Sequence, residues 1–82
     1  MAMRRARDRR WATPFGRFVG EFGVSRLIGE FAALGDPITK GAVYGWLSGR
    51  TSPRLGRIWI IVRSSGGTLT YADVFAHTAR RE

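Results

Sequence analysis

The chain has 82 residues, with 14 Lys+Arg against 6 Asp+Glu and a formal net charge of +8. A chain of this length makes one domain with one small core and leaves little room for an enclosed enzyme pocket. Cysteine is absent and hydrophobic residues reach 44%, which excludes disulfides, thiolate catalysis, cysteine-ligated metal and a disordered polycation.

The longest apolar run, Ile58 to Val62, is far shorter than the ~20 residues of a membrane span. The basic N-terminus is not followed by an apolar signal segment. A cytoplasmic location, with no membrane partner, is the expectation.

Charge divides into two equal parts. Residues 1–10 hold five Arg and one Asp, and the rest of the chain holds nine basic and five acidic residues. Of the 14 basic residues 13 are Arg, and Lys40 is the one Lys. A GC-rich genome explains such a ratio, and so does phosphate contact, where the planar guanidinium grips two oxygens. The net charge itself points to a polyanion partner.

Residues 1–12 read as a basic arm, residues 13–77 as the folded domain and residues 78–82 as a tail. Thr13 caps the first predicted helix, with Pro14 at its first position. Phe15, Phe18, Val19 and Phe22 follow at helical spacing, and Gly23 is expected to end the helix in a left-handed turn. Ser25 is the next expected cap. Leu27, Ile28, Phe31, Ala32 and Leu34 form the apolar side of a second helix, stopped by Gly35-Asp36-Pro37.

Thr39 caps a third helix, and Ile38 is placed to staple against Val43. Ala42, Val43, Trp46 and Leu47 are read as its inward side, and Gly49 as its end. Arg50 to Pro53 is a loop. A fourth helix is expected from about Pro53 to Ser65, with Leu55, Ile58, Trp59, Ile61 and Val62 inward. The β-prone IWIIV makes a strand over 56–63 the competing reading. After Gly66-Gly67, Thr70 and Asp73 cap a short last helix with Val74 and Phe75 on its apolar side. The fold class is all-α, a compact bundle of four to five short helices.

Two short helices, a tight turn and a third helix with small, polar outward positions describe a helix-turn-helix. The outward positions are Thr39, Lys40, Gly41, Tyr44, Gly45 and Ser48. A recognition helix must fit a major groove about 12 Å wide. Lys40 suits guanine, Tyr44 a thymine methyl or a phosphate, and Thr39 a phosphate or base. Gly41 and Gly45 each cost about 1 kcal/mol of helix propensity. Close approach to the groove floor and close packing within the protein both account for them.

The segment VSRLIGEFAALGDPITKGAVYGWLSGRTSPR, residues 24–54, resembles the helix-turn-helix of phage Cro-like regulators, in the lambda-repressor-like DNA-binding family. The strongest likeness is ITKGAVYGWLSGRTSP, residues 38–53, and SSGGTLTYADVF, residues 64–75, is similar to the tail of a Cro-like subgroup. The likeness covers about residues 13–77. One departure is the insertion of Asp36-Pro37 between Gly35 and Ile38.

The helix-two N-terminus, Ser25 and Arg26, offers free backbone N–H groups to phosphate. The loop residues Arg50, Thr51, Ser52 and Arg54 offer further donors. The resemblance implies that both regions grip the DNA backbone. Arg17 and Arg57 are further candidates for the same contacts, with a solvated surface position as the alternative. The arm, Arg4, Arg5, Arg7, Arg9 and Arg10, enters a minor groove or acts as a disordered electrostatic tether.

His77 is the only histidine. A metal site lacks further ligands, so a surface or helix-end position is expected. Ser64, Ser65, Asp73 and His77 make no recognisable nucleophile motif, and no catalysis, cofactor, metal or small-molecule substrate is expected. Trp59 beside Ile58 and Ile61 makes the fourth helix more apolar than one core face needs, which suggests a dimer interface. The expected function is a sequence-specific transcriptional regulator, a repressor acting as a homodimer on double-stranded DNA. The alternatives are a non-specific nucleic-acid binder, a DNA-binding antitoxin or accessory protein, and a protein–protein adaptor of the same fold.

Overall fold

The computed structural model describes residues 11–78, and all the regular elements among them are helical. They are α1 (Pro14–Phe22), α2 (Val24–Ala33), α3 (Lys40–Ser48), α4 (Leu55–Ser64) and α5 (Tyr71–Thr78). The arm residues Arg4, Arg5, Arg7, Arg9 and Arg10, and residues 79–82 of the tail, lie outside the described residues. No described helix is long and apolar enough to cross a membrane.

Local chemistry sets the helix ends. Thr13 adopts extended backbone and its hydroxyl accepts from the Gly16 N–H at 3.0 Å, with Pro14 in the first turn. Gly23 ends α1 and begins α2 in a single residue, at φ 101° and ψ 131°. That is positive φ without the left-handed helical ψ expected for it, a conformation that glycine adopts without strain. Because the turn takes only one residue, Ser25 lies inside the first turn of α2 and is not its cap.

The end of α2 is a Schellman motif around Gly35. The Gly35 N–H donates to the Ala32 carbonyl and the Asp36 N–H to the Phe31 carbonyl, both at 3.0 Å. Thr39 then caps α3 through the Ala42 N–H at 3.1 Å. Thr70 and Asp73 form a reciprocal capping box ahead of α5: the Thr70 N–H donates to the Asp73 carboxylate and the Asp73 N–H to the Thr70 hydroxyl.

The five helices enclose one core. α1 packs on α2 and α5, α2 on α3 and α4, and α5 on α3 and α4. Phe15, Val19, Leu27, Phe31, Val43, Trp46, Leu47, Ile58, Ile60, Ile61, Leu69 and Val74 fill it. The Phe31 and Trp46 rings meet at 5.9 Å between centroids. Trp11, assigned to the arm by sequence, packs partly buried against this core, its ring over Gly20.

The stretch 56–63 is helix, not strand, and α4 is shorter at both ends than the Pro53–Ser65 expected. Its inward face also differs. Ile58, Ile60 and Ile61 are buried, whereas Leu55 is 62% and Trp59 48% exposed. α4 is held from two sides, by α2 and α5. That clasp buries a wide arc including Ile60 and leaves the i, i+4 pair Leu55 and Trp59 outside. On α5 Val74 is fully buried, but Phe75 is half exposed.

Candidate nucleic-acid interface

α3 presents two unlike sides. Val43, Trp46 and Leu47 are buried, with Ala42 and Ile38 packed partly against the core. Thr39, Lys40, Gly41, Tyr44 and Ser48 are exposed. Lys40, Tyr44 and Ser48 follow one another at i, i+4, i+8, so they form a single ridge along the helix. The Ser48 hydroxyl donates back to the Gly45 carbonyl at 3.1 Å.

Gly45 does not belong to that surface. It is buried, and a Cβ added there would stand 2.9 Å from the Thr51 hydroxyl. Helical spacing alone turns position 45 outward. Gly49, at φ 81° and ψ 5°, reverses the chain so that the Arg50 and Thr51 N–H groups reach the Gly45 carbonyl. Thr51 then sits on the bare glycine, so at this position close packing within the protein is the explanation. Gly41 is different. A Cβ there would meet only the Thr39 hydroxyl, at an ordinary 3.6 Å, and no packing within the described chain requires glycine.

The residues expected to contact phosphate are on the surface. Ser25, Arg26, Arg50, Thr51, Ser52 and Arg54 are all exposed. Arg26 stacks its guanidinium on the Phe22 ring, 4.2 Å from the centroid, which orders the side chain near the N-terminus of α2. The N–H groups in the first turn of a helix lack intrahelical acceptors, and Ser25 and Arg26 lie in that turn.

Two further Arg residues have protein partners. Arg17 donates to the Ala12 carbonyl at 2.6 Å. Arg57 donates to both oxygens of Asp36, at 3.0 and 2.9 Å. Asp36, Arg54, Gly56 and Arg57 line an open depression of about 420 Å³. Arg57 fixes its wall, and Arg54, just ahead of α4, is the exposed cation at its edge.

His77 lies in the last turn of α5, the helix-end position expected, but not on the surface. It is 6% exposed. Its Nδ1 lies 2.6 Å from the Thr13 hydroxyl and its Nε2 2.8 Å from the Leu47 carbonyl. The ring stands edge-on to Phe15 at 5.2 Å. Position 77 falls three residues after the buried Val74, on the same face of α5, and that spacing was the available signal. Asp73 is engaged with Thr70, and the Ser65 hydroxyl donates to Val62. Among the described residues Ser64 Oγ is buried without a partner. Among the described residues, no group of three His, Cys, Asp or Glu could hold a metal ion.

Compared with protein-family profiles, curated proteins and solved structures, the chain matches none.

Proposed function

We propose that the protein is a sequence-specific DNA-binding transcriptional regulator, a repressor of the phage Cro-like type, acting in the cytoplasm at the nucleoid. The observation that carries this reading is the exposed ridge of α3. Lys40, Gly41, Tyr44 and Ser48 line one side of a helix whose other side is anchored by Val43, Trp46 and Leu47. Gly41 leaves the backbone bare at the start of that ridge. A bare backbone lets a helix sit deep in a major groove, where Lys40 reaches guanine O6 and N7 and Tyr44 a thymine methyl or a phosphate.

Phosphates are held by Ser25 and Arg26 at the start of α2 and by Arg50, Thr51, Ser52 and Arg54 after α3. These contacts set register and orientation, while base edges set sequence. The protein acts as a homodimer. Leu55 and Trp59, both exposed on α4, supply apolar surface for self-association. Two copies of α3 then enter successive major grooves about 34–36 Å apart. Binding occludes a promoter, with no cofactor.

Selection of duplexes from a random DNA library, at about 150 mM salt, tests the reading alongside the solution mass of the free protein. A near-palindromic consensus with half-sites about ten base pairs apart, together with a dimer mass, is the expected result. Retention without a consensus would replace it with non-specific binding driven by charge, a second reading favoured by the net +8. Lys40→Ala should relax preference at one base position. Arg50→Ala and Arg54→Ala should weaken all sequences alike and lower the salt slope by about one unit each.

A further inference from the structure

The last turn of a helix leaves carbonyls without intrahelical partners. In α3 the Gly45 carbonyl accepts from the Arg50 and Thr51 N–H groups at 3.0 and 3.3 Å, and the Trp46 carbonyl from the Gly49 N–H at 3.1 Å. Continued helix would bring the Thr51 N–H to Leu47. The left-handed turn at Gly49 sends it to Gly45 instead. Leu47 is buried, so water does not replace that donor. The partner that reaches its carbonyl is His77 Nε2, at 2.8 Å, from a residue 30 positions along the chain.

The carbonyl partner fixes one proton of the ring. A carbonyl only accepts, so Nε2 carries hydrogen. In the neutral ring Nδ1 then accepts the hydrogen of the Thr13 hydroxyl, 2.6 Å away, while the hydroxyl oxygen accepts from the Gly16 N–H. One continuous chain of donors thus runs from the first turn of α1 through α5 to the last turn of α3.

We infer that His77 is a positioning residue for α3, a C-cap supplied from α5 that holds the end of α3 and the Arg50–Ser52 loop beyond it. The DNA half of this role rests on α3 being the groove-facing helix. The capping half does not depend on it.

The test is amide hydrogen exchange by NMR on the full chain at one fixed pH. Wild type is compared with His77→Phe, His77→Gln and Val74→Ala. Phe keeps the ring and removes both polar atoms. Gln restores a donor and an acceptor. Val74→Ala removes core volume from the same helix and leaves the hydrogen bonds intact. His77→Phe should speed exchange at Gly49, Arg50 and Thr51 by roughly tenfold beyond its effect on α1 and α2, the scale of one lost hydrogen bond. Gln should reverse much of that, and Val74→Ala should speed all helices alike. A uniform effect of His77→Phe, matching Val74→Ala, would overturn the inference. If His77→Phe does not fold, His77→Gln decides: selective protection at Gly49 to Thr51 close to wild type supports the cap, and exchange raised there as elsewhere overturns it.

A second readout is affinity for the duplex selected by wild type relative to a scrambled duplex of equal length. His77→Phe should lower that ratio by about three- to tenfold, with a smaller loss of scrambled-duplex affinity through the loosened Arg50–Ser52 loop. An unchanged ratio removes the positioning of the DNA surface. A wild-type ratio of one overturns the sequence-specific proposal instead and leaves the exchange result to decide the cap.

Discussion

Arg57 grips Asp36 through two parallel hydrogen bonds, Nε to one carboxylate oxygen at 3.0 Å and Nη2 to the other at 2.9 Å. Asp36 is one of the two residues that interrupt the resembled pattern between Gly35 and Ile38. The pair ties that longer loop, and with it the path from α2 to α3, onto α4.

The hydrogen bond from Arg57 holds the Asp36 carboxyl below its ordinary value. The unfolded chain therefore takes up a proton at Asp36 first as pH falls. The contribution to stability is present above the ordinary carboxylate range and is lost as pH drops through the lowered value. Thermal unfolding of wild type and Asp36→Asn should differ at about pH 7 and converge as pH falls through the lowered value. Both side chains are 35% exposed, so added salt should shrink the neutral-pH difference. A difference that persists unchanged in acid would mean that the pair is not its source.

The two glycines of α3 should respond in opposite ways. Gly41→Ala meets only ordinary contact and should stabilise the fold by about 0.5–1 kcal/mol. If α3 is the groove-facing helix, the same change should weaken DNA binding by thickening its surface. Gly45→Ala places a methyl 2.9 Å from the Thr51 hydroxyl. It should offset its propensity gain with a strain of about 1–3 kcal/mol and displace the loop that carries Arg50. Chemical denaturation and DNA titration on both variants check the contrast. Equal stability changes would remove the packing role given to Gly45.

Trp46 and Trp59 look alike in sequence and should not behave alike. Trp46 is 3% exposed, and Trp46→Ala should cost about 3–5 kcal/mol. Trp59 is half exposed, with the Arg63 guanidinium 5.5 Å from the centre of its ring. Trp59→Ala should cost no more than about 1 kcal/mol. If α4 forms the dimer interface, that change should also lower the solution mass toward monomer. A large stability loss without any change of mass would place Trp59 in the core and remove it from the interface.

Ser64 Oγ is buried without a hydrogen-bond partner among the described residues. An unmet buried hydroxyl costs about 1–3 kcal/mol in desolvation, and alanine is the better helix former. Ser64→Ala should therefore stabilise the protein by roughly 1 kcal/mol, read from the denaturation midpoint at constant slope. Destabilisation would show that the hydroxyl has a partner in solution.

The helices and most of their ends were legible because they are local. Thr13-Pro14, Thr39, Gly49 and the Thr70–Asp73 pair each act on backbone groups within a few residues. Helical spacing likewise identified Phe15, Val19, Leu27, Phe31, Val43 and Trp46 as core. Of the surface expected on α3, Thr39, Lys40, Gly41, Tyr44 and Ser48 are exposed. Ser25 was misread as a cap because Gly23 turns the chain in one residue where a longer connection was expected.

The order of amino acids, by itself, determined a mainly helical chain, most of its helix ends and its charge, since capping, helical period and formal charge are properties of neighbours in sequence, but it left 56–63 open between helix and strand. Only the tertiary structure decided which marginal residues went inside. Gly45 is buried by a loop that folds back on it, and Ile60 is buried by helices clasping α4 from two sides while Leu55 and Trp59 stay out. His77 is buried by meeting, at one point, the start of α1 and the end of α3. Each outcome depends on where distant segments come to rest, and periodicity along one helix carries no information about its neighbours.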